Sequence, residues 1–241
     1  MDFSTGIHNS EINSTILNET IDFQYYIPKQ FDINEKYHVY YMFDSQDFFK
    51  YGQIDRVYER LIKNNEIETA IMVGIPYPNV EWRNHHFQPE GDHTEKFMEF
   101  ISKEFVPFVD DKFPSSDSRD SRLLMGESLA GSFSIKLGIH YPNLFKNILA
   151  FSPEVTDEFY DEIVETDGTK DIHLYHTIGL EEQDFITITG RQANFLDPNR
   201  ELNEVLFTIP ERYEYKELDG GHIWKTWKPE IEHALKYFYG A

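Results

Sequence analysis

The feature that most constrains this chain is a short apolar segment that runs directly into a helical one. Residues 122–125 suit a buried strand, and apolar side chains then recur at helical spacing from Leu129 to His140. Between them lies Gly126-Glu127-Ser128-Leu129-Ala130, in which small residues flank the serine at both second neighbours. A strand that turns at once into a helix forces its turn residue into a strained backbone, and small neighbours permit the close approach. The pattern therefore predicts a nucleophile elbow, with Ser128 exposed at the end of a strand.

The five-residue pattern has a simpler alternative. Glycine, serine and alanine are common residues, so the same spacing also arises by chance. A glycine-rich turn whose serine caps the following helix would explain it equally well. The rest of the chain has to decide between the two.

Composition excludes several classes of site and partner. The chain has 241 residues, no cysteine and a formal charge of −21. Disulfides, thiolate metal sites and cysteine nucleophiles are thereby excluded. Nucleic acid and anionic membranes are not expected as partners, because both need clustered Lys and Arg. With no leader-like start and no long apolar run, we expect one cytoplasmic α/β domain over residues 1–241, whose oligomeric state the sequence leaves open.

The order of apolar segments predicts the fold class. Residues 20–27 alternate before Pro28, which predicts an antiparallel strand near a sheet edge, and the start around His8 has no predicted element. From residue 38 onward strands alternate with helices, which is typical of a mostly parallel sheet with helices on both faces. The predicted strands are residues 20–27, 38–43, 69–75, 122–125, 147–151, 172–178 and 213–218, and the predicted helices are roughly residues 54–64, 93–111, 129–140, 156–164, 200–208 and 228–239.

Three chemically active positions directly follow predicted strands. They are Ser128, the acidic cluster at residues 181–184 and His222 on a Gly-Gly turn. Carboxyl ends of parallel strands lie at one edge of the sheet, so we expect these positions to meet there. A serine needs a base to remove its proton, histidine is the natural base near neutral pH, and a carboxylate fixes the histidine tautomer. The chain order of serine, acid and histidine is the one that α/β-hydrolases use.

The other histidines fit structural or surface positions better than a catalytic one. They lie within predicted strands or helices, in the start of the chain, or in and beside the long loop of residues 76–92. None forms a compact ligand pattern such as H-E-x-x-H, so no metal and no cofactor is expected. Long loops are often functional, and Arg83 and Trp82 in this one are candidate substrate contacts. Arg83 has an alternative role as an anchor bonded to backbone carbonyls.

Together these residues resemble the putative-esterase family of α/β-hydrolases, which includes enterochelin esterases, esterase D and mycolyltransferases. The resemblance extends from about residue 20 to the end of the chain and rests on anchors in the expected order. The anchors are Asp44-Ser45-Gln46, Gly74-Ile75 with Arg83 and Pro89, Phe97, Phe100, Glu104 and Pro107, the Ser128 elbow, Tyr141-Pro142 and Phe145, Ser152-Pro153, and Gly220-Gly221-His222 with Trp227.

The resemblance implies roles for further residues. The family acid falls three residues after the glycine that ends its strand, which indicates Glu182 rather than Glu181 or Asp184, although some relatives depend little on an acid. One oxyanion-hole N–H is expected from Leu129 and the other from Ser45 or Gln46. The family favours Asp-Gly where this chain has Asp44-Ser45, so the second donor stays open between those two residues.

The expected activity is hydrolysis of a carboxylic ester through an acyl-enzyme. An acyltransferase on the same site is the alternative, and a non-catalytic binding protein of the same fold is a third. The resemblance links the partner to a small-molecule ester of the siderophore, short-acyl or S-formylglutathione kind. The sequence does not separate these substrates.

Overall fold

The structure, a computed structural model, describes residues 1–91 and 93–240. An eight-stranded sheet of order β1-β2-β4-β3-β5-β6-β7-β10 crosses it, and β8 and β9 form a separate hairpin. The strands are β1 (Gly6–Ser14), β2 (Glu19–Ile27), β3 (His38–Phe43), β4 (Ala70–Ile75), β5 (Arg122–Glu127), β6 (Asn147–Phe151), β7 (His173–Gly179), β8 (Phe185–Ile186), β9 (Gln192–Ala193) and β10 (Arg212–Leu218).

Most of the sheet is parallel. Each neighbouring pair from β4 through β3, β5, β6 and β7 to β10 runs parallel. The strands β1 and β2 add an antiparallel edge through the pairing of β2 with β4. The carboxyl ends of the parallel strands therefore share one edge, which is where an open α/β sheet binds its ligands.

Helices cover both faces of this sheet. They are α1 (Ser45–Asp47), α2 (Ile54–Lys63), α3 (Val80–Phe87), α4 (Thr94–Phe100), α5 (Val106–Lys112), α6 (Leu129–His140), α7 (Asp157–Glu165), α8 (Leu196–Leu206), α9 (Trp224–Trp227) and α10 (Glu230–Tyr239). Two π-helical segments, Phe48–Gly52 and Ile101–Phe105, follow α1 and join α4 to α5. No helix among the described residues is long and apolar enough to cross a membrane.

Strand β3 shows how one run of residues supplies two cores. Its side chains alternate between the faces of the sheet. Val39, Tyr41 and Phe43 pack with helices α3 to α8, whereas Tyr40 and Met42 pack with α2, α9 and α10. All five residues are at most 1% exposed, which explains why the strand is continuously apolar.

Helix α6, which follows the elbow, is buried on every side. All its residues from Leu129 to Ile139 are buried, including Ser132, Ser134 and Lys136. A helix without a solvent-facing side belongs to the interior of a domain. The elbow is therefore held between a central strand and a central helix.

The α/β class, the mostly parallel sheet and the seven predicted strands are confirmed, but the expectation for the start of the chain was wrong. His8 lies in strand β1, which pairs along its whole length with β2. The strand is rich in polar residues because one face is exposed, with only Ile12 and Ser14 buried. Backbone pairing at a sheet edge does not need an apolar sequence, so the pattern gave no signal.

Two further boundaries differ from the prediction. The long loop contains helix α3, which begins where the Asn79 side chain accepts a hydrogen bond from the Trp82 N–H at 2.8 Å; Asp92, at the end of that loop, lies outside the described residues. Helix α8 begins at Leu196 rather than near residue 200. Pro198 falls in its first turn, where the missing N–H costs no intrahelical hydrogen bond.

Candidate active site

Ser128 occupies the strained turn between β5 and α6. Its φ of 55° and ψ of −129° lie outside the regions that residues other than glycine normally adopt. Its N–H donates to the Phe151 carbonyl at 2.8 Å, which fixes the turn to strand β6. A Cβ on Gly126 would lie 2.1 Å from the Ala130 carbonyl oxygen, so the elbow requires glycine there.

A chain of hydrogen bonds links Ser128 to His222 and Glu182. Ser128 Oγ is 2.8 Å from His222 Nε2, and His222 Nδ1 is 2.7 Å from Glu182 Oε2. The carboxylate accepts, so Nδ1 carries the hydrogen, and Nε2 is left as the acceptor for the serine hydroxyl. This is the tautomer that a general base next to a serine needs.

Glu182 is the acidic residue that the structure brings to His222. It is fully buried, whereas Glu181 and Asp184 are exposed and Asp184 accepts a hydrogen bond from Gln192. The Glu182 oxygen turned away from the histidine accepts from Ser152 Oγ at 2.6 Å and from the Gly179 N–H at 2.9 Å. Both oxygens therefore have partners, as a buried carboxylate requires.

Aromatic rings fix the plane of the His222 imidazole. Phe185 stacks on it with ring centroids 4.7 Å apart, and Phe195 and Trp227 meet it edge-on at 5.1 and 4.9 Å. Trp227 also donates to Ser152 Oγ at 2.9 Å, so one indole supports both the histidine and the hydroxyl that holds the acid. The imidazole is thus positioned by packing as well as by hydrogen bonds.

The expected oxyanion donors differ in their access to the site. Leu129 is the first residue of α6, where N–H groups have no partner within the helix. Ser45 is fully buried and its hydroxyl donates to Gln24 Oε1 at 2.9 Å. Gln46, the next residue, is partly exposed. The choice between the backbone N–H groups of Ser45 and Gln46 stays open.

A cavity of about 460 Å³ opens over Ser128 and His222. Its lining includes the segments around Asp47 and Tyr77 and, from the hairpin, Ile186 and Ile188. The volume falls in the range of small-molecule sites. The carboxyl edge of the sheet therefore carries a pocket directly above the hydrogen-bond chain.

Arg83 reaches the cavity but serves as an anchor. It is 6% exposed and pairs with Asp44 through Nε at 2.7 Å, while Nη2 donates to the Glu127 carbonyl at 3.2 Å. Burial would lower the pKa of Arg83, but the Asp44 carboxylate raises it above its ordinary value. Burial raises the pKa of Asp44 to about 6, against the opposing effect of Arg83. The alternative role as an anchor therefore describes Arg83 better than direct substrate contact.

Trp82 is not among the described residues that line the cavity, and its contact with a substrate stays a prediction. Its ring stacks on His86 at 4.0 Å and lines a separate small depression beside Pro78. Helix α3 turns consecutive side chains about 100° apart; the part of its surface that carries Arg83 and Asn84 lines the cavity, and Trp82 lines the other depression. Reading the segment as an extended loop concealed that difference.

Sequence reasoning missed two contributors to the site. Ser152 and Trp227 were noted only as positions of family resemblance, and their contact with the acid has no local sequence signal. The hairpin that carries Ile186 and Ile188 could have been found, because alternating residues precede Gly190, whose φ is +80°. Among residues 1–91 and 93–240, no group of three or more His, Asp and Glu side chains is arranged to hold a metal ion.

Comparison with known sequences places the chain among esterases. A sequence model of the family described as "Putative esterase" matches residues 14–238. The uncharacterised protein YjcH of Bacillus subtilis is 35% identical over 230 residues, which cover 95% of this chain and 96% of that protein. An acetyl esterase of Caldicellulosiruptor saccharolyticus is 23% identical over 200 residues, covering 71% of this chain and 74% of that enzyme.

Solved structures agree on the fold. A ferulic acid esterase matches with a TM-score of 0.81 at 19% identity, and 98% of each chain is covered. The enterobactin esterase FES of Shigella flexneri matches with a TM-score of 0.79 at 18% identity, over 96% of this chain and 59% of that one. This chain thus spans about three fifths of the enterobactin esterase. The fold around the serine elbow and the family match over residues 14–238 lead to one conclusion: this chain belongs to the Putative esterase family of α/β-hydrolases.

Proposed function

We propose that the protein is a serine esterase in which Ser128 is the nucleophile, His222 the general base and acid, and Glu182 the residue that orients His222. One observation carries the proposal: the unbroken hydrogen-bond chain, with contacts of 2.8 and 2.7 Å, that ends on a fully buried carboxylate. Membership in an esterase family supports ester hydrolysis as the overall reaction.

The first half of the reaction forms the acyl-enzyme. Ser128 Oγ attacks the ester carbonyl carbon while its proton passes to His222 Nε2. The carbonyl oxygen becomes an oxyanion, for which the N–H group of Leu129 and that of Ser45 or Gln46 are the proposed donors. The intermediate then collapses: the bond to the alkoxy oxygen breaks, and that oxygen takes the proton from Nε2 and leaves as the alcohol.

The second half regenerates the enzyme. Water attacks the acyl carbon and gives one proton to His222 Nε2, which forms a second tetrahedral intermediate. The bond to Ser128 Oγ breaks and that oxygen recovers the proton, which releases the carboxylic acid. Glu182 orients the imidazole and stabilises the imidazolium that forms in each half.

Replacing the nucleophile tests the proposal. Ser128→Ala should keep the circular dichroism spectrum and lower turnover of p-nitrophenyl acetate by about 10⁴–10⁶-fold, the range found for loss of a hydrolase nucleophile. The wild-type protein should also gain one label per chain from a fluorophosphonate probe, and the variant should gain none.

Ser134→Ala is the matched control on the same helix. The Ser134 hydroxyl donates to the Ala130 carbonyl at 2.8 Å and does not contact the hydrogen-bond chain. Its variant should keep turnover within a few-fold of wild type. If Ser128→Ala retains turnover within tenfold of wild type, Ser128 is not the nucleophile and the proposal fails.

A further inference from the structure

A cluster of three carboxyl groups is here called the carboxyl wall: Asp47 and Glu127, which line the cavity, and the fully buried Asp44, which pairs with the cavity-lining Arg83. Asp44 pairs with Arg83, and Asp47 accepts a hydrogen bond from the Tyr77 hydroxyl at 3.1 Å. Asp47 and Glu127 both line the cavity. The hydrogen-bond chain of the proposed mechanism uses none of these three side chains.

Glu127 differs from its neighbours because its carboxyl group lacks a partner. The residue is 4% exposed, and its buried Oε2 has no hydrogen-bond partner among the described residues. An unpaired buried polar atom costs about 1–3 kcal/mol, so its presence in a residue that lines the cavity indicates a ligand group that would pair with it. Glu127 immediately precedes Ser128, which places that ligand group beside the reacting carbonyl.

The surroundings of Glu127 favour the protonated form of its carboxyl group. Burial, and then the nearby charge of Asp44, raise its pKa well above the usual range, and Arg83 only partly opposes this. Asp47, the other carboxyl group facing it, adds to the increase. A protonated carboxyl offers one O–H donor and one carbonyl acceptor, a combination that pairs with an alcohol hydroxyl.

The hairpin contributes exposed apolar side chains to the cavity lining. Ile186 and Ile188 of the hairpin are 65% and 67% exposed and line the cavity. The two arginines that line it, Arg83 and Arg191, are each paired with a carboxylate, Asp44 and Glu154 respectively. An anionic substrate would therefore face carboxyl groups without an unpaired guanidinium to bind it.

We propose that Glu127 is a specificity residue that binds a hydroxyl group of an uncharged ester, and that the cavity disfavours esters bearing a carboxylate. The hydroxyl-bearing part of the substrate lies against the carboxyl wall, and an apolar part lies against Ile186 and Ile188. This inference rests on the proposed esterase function.

Matched esters test the preference on both sides of the scissile bond. The alcohol series is 4-ethylphenyl, 4-(hydroxymethyl)phenyl and 4-carboxyphenyl acetate. The acyl series is the 4-nitrophenyl esters of 3-methylbutanoic, 3-hydroxybutanoic and succinic acid. In one series or both, kcat/KM should be about tenfold higher for the hydroxyl ester than for its hydrocarbon isostere, as expected for one added hydrogen bond. The carboxylate ester should be the slowest in each series.

Substitution assigns the preference to Glu127. Glu127→Leu should reduce the hydroxyl-over-hydrocarbon ratio to about one, and Glu127→Ala serves if the leucine variant does not fold. Glu127→Gln should keep most of the ratio, because an amide also offers a donor and an acceptor. Glu158→Leu, which removes an exposed carboxylate outside the cavity, should leave the ratio unchanged.

The outcomes separate this inference from the function on which it rests. Turnover without a hydroxyl preference in either series, or a ratio that survives both apolar substitutions, would overturn the role of Glu127 and leave the esterase intact. A carboxylate ester faster than its hydroxyl counterpart would overturn the charge selection. Absence of both turnover and fluorophosphonate labelling would overturn the esterase function itself.

Discussion

The hydrogen-bond chain and the carboxyl wall differ in whether their buried polar atoms have hydrogen-bond partners. In the hydrogen-bond chain, both nitrogens of His222 and both oxygens of Glu182 have hydrogen-bond partners. On the carboxyl wall, Asp44 Oδ1 and Glu127 Oε2 are buried without one. Full pairing fixes a geometry in advance, which suits groups that move protons. A buried atom without a hydrogen-bond partner gains one when a substrate binds, which suits groups that recognise a substrate.

The largest expected effect is the decrease in kcat when Glu182, the acid of the hydrogen-bond chain, is replaced. In Glu182→Gln the imidazole loses the carboxylate that fixes its tautomer and stabilises its charged form. Loss of an orienting carboxylate costs about 10⁴ in turnover in the strictest proteases, so we expect a decrease in kcat of at least about a hundredfold. Steady-state kinetics on p-nitrophenyl acetate measure it.

The neighbouring carboxylates provide the controls. Glu181→Gln and Asp184→Asn should stay close to wild type, because both side chains are exposed and neither bonds His222. A collapse in Asp184→Asn with a mild Glu182→Gln would mean that the acid is two positions further along the chain. Mild effects in all three variants would mean that Ser128 and His222 act without an acid.

The next prediction concerns the ion pair between Arg83 and Asp44 of the carboxyl wall, and its readout is the free energy of unfolding. Arg83→Met leaves the fully buried Asp44 carboxylate without its cation, and removing one partner of a buried pair costs about 3–5 kcal/mol in the free energy of unfolding. The pKa of Asp44 in the folded protein already lies at about 6, above its unfolded value of 3.8. Folding therefore takes up a proton, and stability falls as pH rises between these two values.

Without the guanidinium, the pKa of Asp44 rises further and this window extends upward. The stability difference between wild type and Arg83→Met should thus widen above pH 6, as measured by urea unfolding at several pH values. Arg191→Met is the matched control, because Arg191 is 57% exposed and its pair with Glu154 should contribute less than about 1 kcal/mol. Equal losses in both variants would contradict the buried-pair explanation.

The smallest expected effect comes from Ser152, which supports Glu182 within the hydrogen-bonded part of the site. Ser152→Ala removes the hydroxyl that bonds Glu182 Oε1 and accepts from Trp227 Nε1. The acid keeps the Gly179 N–H, so we expect about a tenfold decrease in kcat, equivalent to one hydrogen bond. Unchanged kcat would mean that Gly179 and His222 position Glu182 without Ser152.

Ser102→Ala is the control for Ser152→Ala. The Ser102 hydroxyl is also buried, but it bonds a carbonyl of its own helical segment at 3.1 Å, far along the chain from the acid. This variant should keep the wild-type kcat. It separates loss of a buried hydroxyl in general from loss of support for Glu182.

The sequence predicted strands that show a continuous apolar run or a regular alternation of apolar residues, and it failed at β1, where backbone pairing alone sets the structure. Strand β3 reads as continuously apolar because two cores flank it, whereas β1 is held by pairing with β2 at an edge. Asn79 starts α3 with a single cap, a local signal that the prolines of the loop obscured.

The residues of the candidate site also differ in whether the sequence could identify them. His222 could be singled out because it lies on a Gly-Gly turn after the last strand. Glu182 could not be chosen from local pattern alone, since three carboxylates lie within four residues and only burial distinguishes them. The contact of Ser152 with Glu182 joins residues 30 positions apart, and no periodicity encodes such a pair.

Helix α6, buried along Leu129 to Ile139, has a consequence for how the protein loses activity. The amide hydrogens beyond its first turn are shielded from solvent, so we expect them to be among the slowest in the domain to exchange. Ser128 is attached to the start of this helix and to the end of a central strand, and its elbow cannot loosen while they stay packed. Heating should therefore abolish nucleophile labelling and the native fold in one cooperative transition.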